Sequence, residues 1–138
     1  MANPQLQRTQ TLARIVGPYL LIVGVALAAR GASLTLLLPS FMQNAPLVFA
    51  TGAFTLMAGL VLLAAHHHWS SPAAIIISFV GVAATLKGAS LMIAPDLGAA
   101  LTASAVAAPP ALTIAAVLEM LLGLWLSYVG WIARGTHS

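Results

Sequence analysis

The sequence predicts an all-α polytopic membrane protein, a four-helix bundle built from two parallel-repeat transmembrane hairpins. Three observations lead there. The 138-residue chain is 61% hydrophobic and 5% charged, whereas globular domains carry roughly 25% charged residues, so lipid must solvate most of its surface. Four apolar runs reach the roughly 20 residues that a helix needs to cross a hydrocarbon core. Finally, VGVALAARGASL at 23–34 recurs 57 residues later as VGVAATLKGASL at 80–91, with eight of twelve positions identical. TLMAGL at 55–60 likewise aligns with EMLLGL at 119–124. Self-similarity at such a period marks a duplicated unit.

The spans follow in chain order. The first, 13–38, begins near Arg8 and Arg14 and so imitates a secretory signal. Its reappearance in mid-chain reads it instead as a retained helix, which Pro39 is expected to close. Pro46 opens the second span at 46–65, Pro72 opens the third at 72–94, and Pro109 and Pro110 open the fourth at 110–133. The linkers at 39–45, 66–71 and 95–109 are too short for a soluble domain. Residues 1–138 therefore form one membrane domain, with repeat one at about 13–65 and repeat two at about 72–133. The Ala-, Ser- and Thr-rich stretch 97–108 reads either as a loop or as an outward extension of the fourth helix. Gln43 and Asn44, in the first outer linker, are assigned no special role.

Arg8, Arg14 and Arg134 share the side of the membrane that carries both termini, and the opposite loops hold Asp96 and no Lys or Arg. The positive-inside bias then makes both termini cytoplasmic. Tyr19, Trp69, Tyr128 and Trp131 lie near that same face, where aromatic belts form. Each repeat crosses twice, so the copies point the same way and are related by an axis along the membrane normal.

Nine of the eleven glycines fall in one pattern. Gly17, Gly24 and Gly31 are seven apart in the first span, as are Gly52 and Gly59 in the second, Gly81 and Gly88 in the third, and Gly123 and Gly130 in the fourth. Seven residues is about two turns, so each helix carries one small face suited to close packing. A pathway lined by these faces would also need polar walls, so packing is the simpler reading.

Three charges fall inside the spans. Arg30, Lys87 and Glu119 each lie eight or nine residues from an outer proline, which is roughly 12–14 Å below the outer helix ends. A charge at that depth costs about 2.5–3.5 kcal/mol and calls for a partner or an aqueous cavity. The expectation is that Glu119 pairs with Lys87 or Arg30. Such a cluster either fixes helix register or forms an ion, proton or anion site.

Other chemistry is thinly represented. The chain has no cysteine, which excludes disulfides, thiol redox and thiolate metal sites. Its few scattered cations do not make a nucleic-acid surface. His66, His67 and His68 are weak candidates for metal ligands, since three consecutive loop histidines rarely converge on one ion; surface histidines at the lipid interface are the better reading. No histidine lies in mid-span for haem ligation. No catalytic triad, carboxylate pair or phosphate loop is present, so no enzyme and no cofactor is expected.

His68-Trp69, followed by Gly81, Lys87-Gly88 and Pro95, resembles a motif of small bacterial inner-membrane proteins of no assigned activity. The match covers about thirty residues. It departs from the family pattern in lacking Asn before Trp69 and in having Val82 after Gly81. The resemblance implies four spans and a bacterial inner membrane, and carries no activity with it. Small multidrug exporters have a comparable size but place an acid where this chain has Arg30. Fluoride channels share the length but have an Asn in helix two and a Phe-Ser-Thr box in helix three that are missing here. The partners expected are the bilayer, other copies of the chain, or the helices of another membrane protein. The function expected is helix association, as a self-associating bundle or an accessory subunit. The alternative is a small anion or proton transporter using Arg30, Lys87 and Glu119.

Overall fold

The structure, a computed structural model, describes residues 4–65, 69 and 71–133. All regular elements among them are helices: α1 Pro4–Met42, α2 Ala45–Ala65, α3 Pro72–Ile93, α4 Pro95–Val106 and α5 Pro109–Trp131. Four of these, α1, α2, α3 and α5, are long and apolar enough to cross a membrane. The chain thus has the make-up of a multi-pass membrane protein.

Local chemistry sets the helix ends. The Ala74 N–H donates to the Ser71 hydroxyl at 3.2 Å, and Pro72 occupies the first turn of α3, where its missing N–H costs nothing. The Leu47 N–H donates to Asn44 Oδ1 at 3.2 Å, which gives Asn44 the capping role at α2 that the sequence reading had not assigned. Pro39 does not end α1: the helix runs one turn further, to Met42. So close to the end, Pro39 forfeits a single intrahelical hydrogen bond, and the Gln43 N–H still donates to its carbonyl at 3.1 Å. The stretch 95–106 is neither a loop nor part of the fourth span. It forms α4, which follows α3 through a break at Ala94 (φ −137°, ψ 69°). There Pro95 removes an N–H, while the Ala94 and Gly98 N–H groups still donate to Ser90 and Ala94 carbonyls.

The closest packing joins α1 to α5 and α2 to α3, while the chain neighbours α1 and α2 touch sparsely. Glycines make both close pairs. A methyl group on Gly24 would fall within 3.0 Å of Met120 and the Ala116 carbonyl; one on Gly123 would strike Leu21 and the Gly17 carbonyl. In the other pair, Gly88 lies on Leu56 and the Gly52 carbonyl, and Gly59 on Thr85 and the Gly81 carbonyl. Both pairs are antiparallel, with contact partners descending along one helix as they ascend along the other.

These two lists are one list shifted by 64 residues. Gly17 maps to Gly81, Leu21 to Thr85, Gly24 to Gly88, Gly52 to Ala116, Leu56 to Met120 and Gly59 to Gly123. The packing therefore follows a 64-residue shift, where sequence identity in the first segment favours 57. Between α1 and α3 the seven-residue glycine period aligns two glycines under either choice, which is why identity there slipped by two turns; in the second segment only 64 sets Gly59 on Gly123. On the packing register α1 corresponds to α3 and α4 together, and the break at Ala94–Pro95 falls opposite Arg30–Gly31.

Where the two pairs meet, the core lies toward the end that carries the start of α1 and the end of α5. It consists of Ala13, Val16 and Leu20 of α1, Ala73 and Ile77 of α3, and Leu126 of α5, with Leu62, Val80, Leu122 and Val129 packed against it. At the same end, Pro18 leaves the Arg14 carbonyl without its intrahelical donor. The Trp131 indole N–H takes that place at 3.4 Å, while Arg14 Nε donates to the Gly130 carbonyl at 2.7 Å. The Arg14 guanidinium lies 5.8 Å from the Trp131 ring centroid. Each helix thus satisfies the other's orphan carbonyl. Arg14→Ala removes a charged hydrogen bond and a cation–π contact, and is expected to lower unfolding stability in detergent by about 2 kcal/mol. A melting temperature equal to wild type would contradict this clamp.

Candidate functional site

Glu119 stands near the middle of α5, on the stripe that continues outward from Leu126 and Leu122. Helical periodicity aligns residues three, four and seven apart, so Glu119 shares the face those core residues turn to the bundle. Lys87 stands seven residues after Val80, at the exposed edge of the core-facing side of α3. Thr55, seven before Leu62, occupies the same stripe on α2. The inner parts of these stripes close into the core. Their outer parts present a carboxylate, an ammonium and a hydroxyl.

Lys87 is exposed and Glu119 is half-buried. Glu119 Oε2 is buried without a hydrogen-bond partner, and no ion pair joins Glu119 to a cation among the described residues. The expected pair is thus not closed. Gly88 rests on Leu56 as Gly24 rests on Met120, and Ala13 and Ile77, 64 residues apart, share the core, so this register sets Lys87 and Glu119 at about one level.

Arg30 is apart from them. It precedes Gly31, whose nearest neighbour across the seam is Leu112, whereas Glu119 precedes Met120, which packs on Gly24. Arg30 therefore lies about 9 Å further outward along α1, and its side chain is exposed. Gly31 is also the one glycine of the pattern with open space beside it, its added methyl meeting only a Leu112 methyl at 4.0 Å. The other eight glycines are spent on contacts within the chain.

Four hydroxyls lie near these charges, and each bonds to its own helix. Thr55 donates to the Thr51 carbonyl at 2.7 Å, Thr85 to Gly81 at 2.8 Å, Ser90 to Lys87 at 2.8 Å and Thr113 to Pro109 at 3.1 Å. Their protons are committed, so only their oxygen lone pairs remain for a passing ion or water. His66, His67 and His68 lie outside the described residues. No group of three or more His, Asp or Glu able to hold a metal occurs among the described residues. No known protein family, no curated protein and no solved structure matches this chain.

Proposed function

We propose that this is a small carrier or channel of the bacterial inner membrane for a proton or small anion, with Glu119 and Lys87 as its mid-membrane site. One observation carries the reading: a half-buried carboxylate with an unpartnered oxygen on the core-facing side of α5 shares a level with an exposed ammonium at the edge of that side of α3. Ionisable groups held inside a membrane without a closed pair mark ion and proton paths more often than scaffolding. The docking of glycine faces onto partner helices has less support, because eight of those nine glycines are occupied inside the chain. Self-association keeps one specific support, the exposed Arg30 beside the open Gly31 on α1.

The bundle is the product of an internal duplication in the 64-residue register, and both termini face the cytoplasm. The conserved pattern of seam contacts supports the first statement, and the placement of Arg8 and Arg14 at the start of α1 supports the second. The test is flux in liposomes. Protein-loaded vesicles should dissipate a pH gradient or a chloride gradient faster than protein-free vesicles, with the rate proportional to protein content. Vesicles that remain as tight as the protein-free control to both ions would sink the proposal.

A further inference from the structure

A cavity of about 470 Å³ opens at the end of the bundle that carries the start of α1, lined by Pro4, Gln7, Arg8, Thr11, Leu12 and Ala65. Pro4, Arg8 and Thr11 form one stripe of α1, and Ala65 is the last residue of α2. α1 belongs to one close pair and α2 to the other, so the cavity lies at the join between the pairs, where α1 and α2 touch sparsely. Leu12, part of its lining, packs against the core.

We propose that this cavity binds the phosphate and glycerol backbone of one anionic phospholipid, which bridges the two helix pairs. Its depth suits a lipid headgroup. Arg8 lies six residues, about 9 Å, beyond Arg14, and Arg14 is level with Trp131, which is exposed together with Tyr128, as an interfacial aromatic belt requires. Its charge suits an anion. Among the described residues Arg8 is the only charged one in the lining, and it is exposed with no hydrogen bond or ion pair to any of them. The two acids of the chain are elsewhere, Asp96 on α4 and Glu119 in mid-α5. Thr11 donates its proton to the Gln7 carbonyl at 2.9 Å, and Leu12, Pro4 and Ala65 supply an apolar wall for the first acyl carbons. The size is too large for a free phosphate alone, and the apolar wall would be wasted on one.

The experiment is native mass spectrometry of the full chain in detergent, titrated separately with phosphatidylglycerol, phosphatidylcholine and inorganic phosphate. One phosphatidylglycerol should be retained in preference to phosphatidylcholine, and its binding should raise the melting temperature. Arg8→Gln should bind it about fivefold more weakly, the worth of one interfacial cation, and Arg8→Lys should recover most of the loss. Ala65→Phe, which fills the cavity and leaves the charge, should also abolish the preference. Equal retention of both lipids, wild-type binding by Arg8→Gln, or inorganic phosphate holding as tightly as the lipid would each overturn the assignment. Arg8 is exposed, so its variants are expected to fold, with unchanged helical circular dichroism as the check.

Discussion

Valine at Gly123 is expected to separate α1 from α5. Its side chain would occupy space already held by the Leu21 backbone and the Gly17 carbonyl. Backbone atoms in a packed helix cannot swing aside as a side-chain tip can, so the helices must move apart along the seam. Overpacking of this kind costs about 3 kcal/mol. Gly88→Val should do the same to α2 and α3 through Leu56 and the Gly52 carbonyl. Gly31→Val is the contrast, because open space surrounds that position; it should change stability by less than about 0.5 kcal/mol. Thermal unfolding in detergent, followed by circular dichroism, separates the three. Equal melting temperatures for Gly123→Val and Gly31→Val would mean that the glycine seams do not hold the bundle.

Glu119→Lys is the second large effect. It places two ammonium groups at one level inside the bundle and removes the only acid near Lys87. A lone charge at that depth costs about 2.5–3.5 kcal/mol, and a like-charged neighbour adds to it. The variant should express poorly or melt well below wild type. The exchanged variant Lys87→Glu with Glu119→Lys restores opposite charges and should regain most of the stability. Glu119→Gln keeps the shape and removes the charge, so it should fold and lose at least about tenfold of any proton flux, as expected when a proton-transferring group is removed. If the exchanged variant is no more stable than Glu119→Lys alone, the two sites are not electrostatically coupled.

Much of this architecture was legible in residue pattern. Apolar runs between prolines gave four spans, because a bilayer's thickness sets helix length and a proline suits the first turn of a helix. Prolines near helix ends were less legible. Pro39 costs one hydrogen bond with a single turn left to follow, so the helix continues through it, whereas Pro95 coincides with a real break at Ala94. The self-similarity of the two segments was visible, but the register in which the helices pack was not. Between α1 and α3 a seven-residue glycine period aligns two glycines at a shift of either 57 or 64, and Arg30 opposite Lys87 favoured the first, whereas Gly59 falls on Gly123 only at 64. Contacts such as Gly59 on Thr85 and Gly123 on Leu21 follow the second. Arg30 falls in the same depth class as Glu119 when depth is counted from the outer prolines, but Pro39 lies inside α1 and does not mark its end, so that count misplaces Arg30.

The core-facing position of Glu119 was within reach of the sequence, since it continues the stripe of Leu122 and Leu126 at helical spacing, whereas Lys87, beyond Val80, stays exposed at the edge of α3. The role of Arg14 was not, because it depends on a helix end 116 residues away in the chain. A signal was present all the same: Pro18 strips the Arg14 carbonyl of its donor, and an indole at the facing helix end is a suitable replacement. The Arg8 cavity had no sequence signal, because it is made by two helices that belong to different close pairs.

The absence of cysteine from the chain makes thiol accessibility the most direct measurement. Single-cysteine variants at Glu119 and Lys87 would be treated in liposomes with a charged, water-soluble thiosulfonate, with Phe54→Cys as a reference, since Phe54 is 78% exposed on the outside of α2. A thiosulfonate reacts with the thiolate, which forms only where water reaches. On the proposed site, water reaches the unpartnered groups between the helix pairs, so cysteines at 119 and 87 should react at least about tenfold faster than the cysteine at 54. Equal, slow reaction at all three positions would show a dry bundle interior and contradict a mid-membrane ion site.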